Sequence, residues 1–338
     1  MRIKGDDTLL IIQPLVGIGD MIWHKPWIDQ LIALNKVVLA TKASSMPYSL
    51  FNDCLDKIDI VEIDRNIRGQ KGRHDGVFGL LRLSRAFKQT GAKRALILHH
   101  SQSYLRAAKL ASIPEIAGFG FGKAGFSSKT LSASDRHIHA IAKMEKLWSL
   151  NGWQAPLDGW HLAPKQSAIA SAKRHLESQN VQTGQMLILG IGAMHEDRCW
   201  PADKFANLIT HLRTQRPDLI PVIMGGPAEV QIADDIQKQL ADPVADCFLS
   251  FDEAIAALSL AKGYIGNDTS LLNAAAVLGV DSLGLFSQSP PLTYVKNLHH
   301  LDVIGKDEYG LPGIIHKIEV DDIMKQMSTI WPQSYAVR

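Results

Sequence analysis

The sequence predicts an α/β protein built from two doubly wound domains, and three observations lead there. Short apolar runs that end in glycine-bearing turns alternate with helix-length segments along the whole chain. The alternation breaks once, at a turn-rich stretch near the middle, and then restarts. A length of 338 residues exceeds what one ordinary core accommodates.

Leu9-Leu10-Ile11-Ile12 reads as a fully buried parallel strand. A secretory core at Leu9–Val16 is the weaker reading, because Asp6 and Asp7 precede it, Gln13 and Pro14 interrupt it, and no small-residue cleavage site follows. The strand runs through Gly17-Ile18-Gly19-Asp20 into a helix expected over 21–34. Strands are expected at 37–40, 58–61 and 94–98, and helices at 78–90, 103–112 and 138–150. Asn151-Gly152-Trp153-Gln154-Ala155-Pro156, Asp158-Gly159-Trp160 and Ala163-Pro164 mark a linker at about 151–165.

Beyond it, helices are expected at 166–179, 202–214 and 228–240, and strands at 186–190, 220–224, 263–266 and 282–286. The domains are accordingly drawn as 1–155 and 166–315. A last helix within 316–338, at about 320–330, is expected to cross back onto the first domain.

Composition narrows the class. With 46% hydrophobic and 21% charged residues the chain is a globular one, and no run approaches the ~18 apolar residues of a membrane span. Cys54, Cys199 and Cys247 are odd in number and far apart, which speaks for a reducing cytosol and against a disulfide framework or a structural zinc.

The net charge of +2 hides an asymmetry. Residues 1–164 carry 22 Lys+Arg against 14 Asp+Glu, a balance of +8; residues 165–338 carry 14 against 20, a balance of −6. Between Arg65 and Lys109, Asp75 is the one acid among eleven basic residues. Such a half suits an anionic surface or a phosphorylated acceptor, or is a solvated face with scattered cations.

Four junctions carry the candidate chemistry. Gly17-Ile18-Gly19 lacks the third glycine of a dinucleotide fingerprint, since Ile22 stands there, and the second strand ends without a ribose-holding acid. The turn instead presents Asp20, either as a base that takes a proton from an attacking hydroxyl or as a cap on the helix behind it. Arg198, on the loop His195-Glu196-Asp197-Arg198-Cys199-Trp200-Pro201, offers charge-assisted bonds to a diphosphate, while Trp200-Pro201 anchors the loop. The adjacent spacing of His195, Glu196 and Asp197 makes a poor metal site, so no metal is expected.

Gly225 and Gly226 permit close backbone approach. Glu229 then either accepts the two hydroxyls of a ribose or complements a helix dipole. Finally, Asp268, Thr269 and Ser270 cap a small-residue helix through Ala274, Ala275 and Ala276, whose start aims free N–H groups at a phosphorylated ligand. A plain capped core helix is the other reading.

In this order the motifs resemble glycosyltransferase family 9, the heptosyltransferases of lipopolysaccharide core assembly. The resemblance rests on Gly19-Asp20, Gly192-Ala193, Arg198-Cys199-Trp200-Pro201, Gly225-Gly226-Pro227-Ala228-Glu229 and Gly266-Asn267-Asp268-Thr269. It implies a GT-B fold, two Rossmann-like domains facing each other across a cleft. It implies an inverting, metal-independent glycosyl transfer from a nucleotide sugar such as ADP-heptose, with no cofactor.

By motif match, Asp20 is the catalytic base, and Arg198, Glu229 and Asp268 contact the donor, with Gly225, Gly226, Thr269 and Ser270 completing its site. Gly19 and Asn273 are assigned acceptor or phosphate contacts. The acceptor would be an anionic glycolipid or oligosaccharide met at the inner face of the cytoplasmic membrane by a cytoplasmic enzyme. A nucleic-acid partner is not expected. Two departures bear on the donor. Asn273 stands where the family has a histidine, and Phe286-Ser287-Gln288-Ser289-Pro290 replaces Phe-Gly-x-Thr-x-Pro. The alternatives are a nucleotide-sugar epimerase on the same fold and a non-catalytic binder.

Overall fold

Leu9, Leu10, Ile11 and Ile12 are each wholly buried, as a strand covered by helices on both faces must be. The computed structural model describes residues 1–66, 69–193, 196–287, 294–303 and 315–332, and divides the chain into units at Met1–His161 and Leu162–Arg338. In the first unit β1 (Leu9–Gln13), β2 (Val37–Thr41), β3 (Ile58–Glu62), β4 (Arg94–Ile97) and β5 (Glu115–Gly118) form one sheet in the order β3-β2-β1-β4-β5. Every pairing in it is parallel. Helices α1 (Ile18–Leu34), α2 (Pro47–Leu50), α3 (Gly76–Gln89), α4 (Gln102–Leu110) and α5 (Ala140–Asn151) accompany it. Gly152 closes α5 in the left-handed conformation at φ 66°.

The second unit repeats the plan. It runs α6 (Gln166–Ser178), β6 (Met186–Gly190), α7 (Ala202–Gln215), β7 (Ile220–Met224), α8 (Val230–Gln237), β8 (Ala245–Cys247) and α9 (Phe251–Ser259). Then follow β9 (Gly263–Asn267), α10 (Ser270–Val277), β10 (Ser282–Phe286), β11 (Leu298–Asp302) and α11 (Val320–Ile330). The sheet order is β11-β10-β9-β6-β7-β8, again all parallel. In each sheet the strand order reverses beside the first strand, between β1 and β4 and between β6 and β9. Doubly wound folds bind ligands beyond the carboxyl ends of strands at such reversals.

Three differences from the sequence reading have physical causes. Helix α1 opens at Ile18 rather than Met21, which puts Gly19 and Asp20 inside its first turn. The helix expected at 228–240 is shorter, because Pro227–Glu229 forms a separate tight turn before α8. The last helix was expected on the first domain. Its apolar face, Val320, Ile323 and Met327 with Trp331 beyond, lies in the core of the second unit beside Trp200, Phe205 and Ile265. Gly263 is the reason Trp331 fits, since a Cβ there would stand 2.6 Å from the indole.

Candidate active site

In the first unit the chemistry gathers at the carboxyl ends of β1 and β4. Asp20 is the third residue of α1, and its carboxylate folds back to accept the Gly17 N–H. That return explains the glycine, because a Cβ at Gly17 would meet the Asp20 Oδ2 at 2.6 Å. Asp20 thus serves the helix start from inside the first turn, with Gly17 rather than Asp20 as the N-cap, and is a half-buried carboxylate. Burial is the dominant influence and lifts its pKa from 3.8 to about 6; the Gly17 N–H and the charge of Lys143 oppose the rise. Lys143 on α5 is itself pushed down by burial and held up by Asp20.

Around this pair lie imidazoles kept neutral. His24, one helical turn beyond Asp20, has no exposed surface, and desolvation followed by the charges of His139 and Lys143 drives its pKa to about 3. Thr41 donates to the Gln13 Oε1 at 3.2 Å, so the Gln13 amide donates to the His24 Nδ1 at 3.3 Å. His139 caps α5 by accepting the Ile141 N–H on Nδ1 at 3.2 Å, and burial holds its pKa near 4. At the end of β4, His99 stacks on His100 with ring centroids 4.4 Å apart, and burial with the His100 charge lowers His99 to about 4. Nothing local in the sequence joins Lys143 or His139 to Asp20. They arrive from a helix more than a hundred residues away.

In the second unit the predicted donor residues do come together. Gly190 and Gly266 are register partners on β6 and β9, and a Cβ at Gly266 would strike the Gly190 carbonyl oxygen at 2.4 Å. Just beyond, Asn267 is completely buried and ties both ends of the β6–α7 loop to the end of β9. Its Oδ1 accepts the Trp200 N–H at 3.0 Å, and its Nδ2 donates to the carbonyls of Ile191 and Gly192 at 2.9 and 3.1 Å. The Arg198 loop is thereby clamped against the end of β9. Trp200, 1% exposed, donates its indole N–H to the Ile318 carbonyl at 2.9 Å and anchors the loop as expected. The Arg198 Nε is buried with no hydrogen-bond partner among the described residues. His195 lies outside the described residues.

Glu229 accepts the Gly226 N–H at 2.6 Å, which closes its own turn. A Cβ at Gly192 would stand 2.9 Å from the Glu229 carboxyl carbon, so the Gly225-Gly226-Glu229 turn and the end of β6 share one space. Thr269 is the N-cap residue of α10 and Ser270 its first residue, and the Thr269 side chain makes no cap hydrogen bond. Ala274, Ala275 and Ala276 are buried. Asn273 donates to the Thr269 carbonyl at 2.8 Å and accepts the Tyr294 hydroxyl at 2.7 Å. The histidine's replacement thus serves the protein's own packing. Of the second departure, Ser287 is buried, while Gln288, Ser289 and Pro290 lie outside the described residues.

Of the predicted site residues, Arg198, Gly225, Gly226, Glu229, Asp268, Thr269, Ser270 and Asn273 belong to the second unit, and Gly19 and Asp20 to the first. Sequence reasoning overlooked the clamp. Asn267 stood inside the quoted motif, yet only the fold reveals that its side chain reaches both ends of the β6–α7 loop.

Among the described residues no helix is long and apolar enough to cross a membrane, and no three His, Cys, Asp or Glu side chains gather as metal ligands.

Two doubly wound units with all-parallel sheets are the plan of the GT-B fold. The family model of glycosyltransferase family 9 (heptosyltransferase) matches residues 81–310, and the chain belongs to that family. It is similar to a family 9 glycosyltransferase from Veillonella parvula (TM-score 0.78, 18% identity, covering 97% of this chain and 98% of that one). It is also similar to the ADP-heptose lipopolysaccharide heptosyltransferase II of E. coli (TM-score 0.66, 16% identity, 96% and 98% covered). The E. coli heptosyltransferase WaaC with ADP follows at TM-score 0.65 and 13% identity, with 95% and 97% covered. These identities speak for the fold alone. No curated protein matches the chain in sequence.

Proposed function

We propose that this glycosyltransferase moves a heptosyl group from ADP-heptose to an anionic glycolipid or oligosaccharide of the lipopolysaccharide core, with inversion and without a metal ion. The acceptor would be met at the inner face of the cytoplasmic membrane. Family membership supports the donor class, and the basic first half, at +8, supports an anionic acceptor.

The observation that carries the chemistry is Asp20. A half-buried carboxylate at a strand-order reversal, with its pKa raised to about 6, is ionised at neutral pH and still basic enough to accept a proton. In the proposed step the acceptor hydroxyl gives its proton to Asp20 as its oxygen bonds the anomeric carbon. The bond from that carbon to the diphosphate breaks, and the diphosphate leaves with the electron pair. Arg198 and the N–H groups at the start of α10 would receive the developing charge.

The test is a panel of nucleotide sugars in thermal shift, then transfer assays with ADP-heptose and a core oligosaccharide acceptor. Stabilisation by ADP-heptose and acceptor-dependent release of ADP are expected, with the rate unchanged in EDTA. Release of free nucleotide without acceptor would point to an epimerase-type reaction. Binding with no turnover on any acceptor would point to a binder. A rate lost in EDTA and restored by magnesium or manganese would overturn metal independence.

A further inference from the structure

Helix α3 buries Gly79, Leu83, Ser84 and Phe87, and Leu83 and Phe87 join the core cluster formed with Leu10, Ile12 and Val38. The face it leaves open is unlike an ordinary solvated one. Val77 is 76% exposed, Phe78 77% and Leu81 52%. The next turns of that face carry Arg82, Arg85 and Lys88, all exposed, and the helix contains no acid. At 3.6 residues per turn these six side chains fall within an arc of about 140°. Apolar groups stand at the N-terminal end and cations follow.

The surroundings extend the pattern. Helix α4 packs beside α3 and exposes Arg106, Lys109 and Leu110, and the segment leading into α3 exposes Lys71 and Arg73. Among the described residues, none of the three α3 cations is held in an ion pair. Asp75, the one acid of the segment, is occupied by Arg65 and by the N–H groups of Asn66 and Gly72. Two phenomena thus coincide on one helix: large apolar side chains left in water and a cationic field without internal neutralisation.

We propose that this face of α3 docks the enzyme on an anionic lipid bilayer. Phe78, Val77 and Leu81 enter the boundary between headgroups and acyl chains, and Arg82, Arg85 and Lys88 pair with lipid phosphates. Apolar anchors flanked by cations are what an interfacial helix needs, and anionic lipid supplies the countercharge the chain lacks there. A second copy of this chain is a poorer occupant, because two such faces would oppose cation to cation. The proposal deepens the reading of a membrane-held acceptor but can fail separately from it.

The experiment uses the full chain with sedimented vesicles, either phosphatidylcholine alone or phosphatidylcholine mixed equally with phosphatidylglycerol. Binding is expected only to the mixed vesicles and should weaken as salt rises. Phe78→Glu with Leu81→Glu should abolish it, and Arg82→Glu with Arg85→Glu should weaken it at least tenfold. Both double variants should keep the parental melting temperature and the parental turnover at a saturating concentration of a water-soluble acceptor fragment.

Equal binding to both vesicle types, no binding to either, or variants that bind like the parent would overturn the docking face. A double variant that changes only the oligomeric state would assign the face to a second copy and overturn the lipid assignment. Vesicle binding with no transfer to the soluble fragment would leave the docking face standing and remove glycosyl transfer.

Discussion

Asp20 is both a helix-start acceptor and the candidate base, and a single substitution separates the two roles. Asparagine keeps the oxygen that the Gly17 N–H needs but cannot take a proton. Asp20→Asn should therefore lower turnover by roughly 10²–10⁴-fold while donor affinity holds. The same carboxyl fixes a pH dependence. A base works when ionised, so turnover should fall as pH drops through about 6.

Stability has the opposite sign. A carboxyl whose folded pKa is raised contributes stability below 3.8 that is lost as pH rises through about 6. Above pH 6 the always-neutral Asn variant should accordingly be the more stable protein, by up to about 3 kcal/mol. A folded Asp20→Asn variant with near-parental turnover would sink the catalytic assignment.

Lys143 provides an independent check. Its charge favours the ionised form of Asp20, so Lys143→Gln should move the acid limb of the pH–rate profile upward. An unmoved limb would dissociate the lysine from the carboxyl.

At the scale of elements, the proposed donor junction depends on the β6–α7 loop held by Asn267 rather than on any one helix. Removing its amide leaves the buried Trp200 N–H and the Ile191 carbonyl without a partner, a loss of about 2–3 kcal/mol. Asn267→Ala should lower the melting temperature and weaken nucleotide binding together. Glu229 calls for a gentler change because it also closes its own turn. Glu229→Gln should keep the turn and the melting temperature yet weaken nucleotide binding; equal affinity by calorimetry would remove Glu229 from the donor site.

These elements also show what a sequence can disclose. The buried central strands were legible because both faces are apolar. The three strands left unread, β5, β8 and β11, all lie at sheet edges, where half-exposed residues such as Glu115, Asp246 and His299 erase the apolar signal. The loops proposed for the donor were legible as motifs, since glycine turns are local devices. The surroundings of Asp20 were not, because His139 and Lys143 join it only through folding.

For the whole molecule, the distribution of charge separates the two ligands. The same imbalance holds on either side of the His161–Leu162 boundary, +8 before it and −6 after it. An anionic acceptor taken by the first unit would be drawn by a field summed over many cations, and such attraction is screened over about 10 Å at 0.1 M salt. A nucleotide sugar taken by the second unit would meet an acidic body, so on the proposed reading its binding would come from short contacts such as Arg198 and the start of α10. Contacts of that kind, partly buried, are screened far less.

Raising ionic strength should therefore increase KM for a water-soluble anionic acceptor severalfold while the nucleotide Kd changes little. The measurement is a pair of titrations from 50 to about 300 mM salt, with acceptor KM from initial rates and nucleotide Kd from calorimetry. Equal salt dependence of the two would mean that the basic half does not recruit the acceptor. A steeper dependence for the nucleotide would place the field at the donor instead, and the division of labour between the two units would have to be reversed.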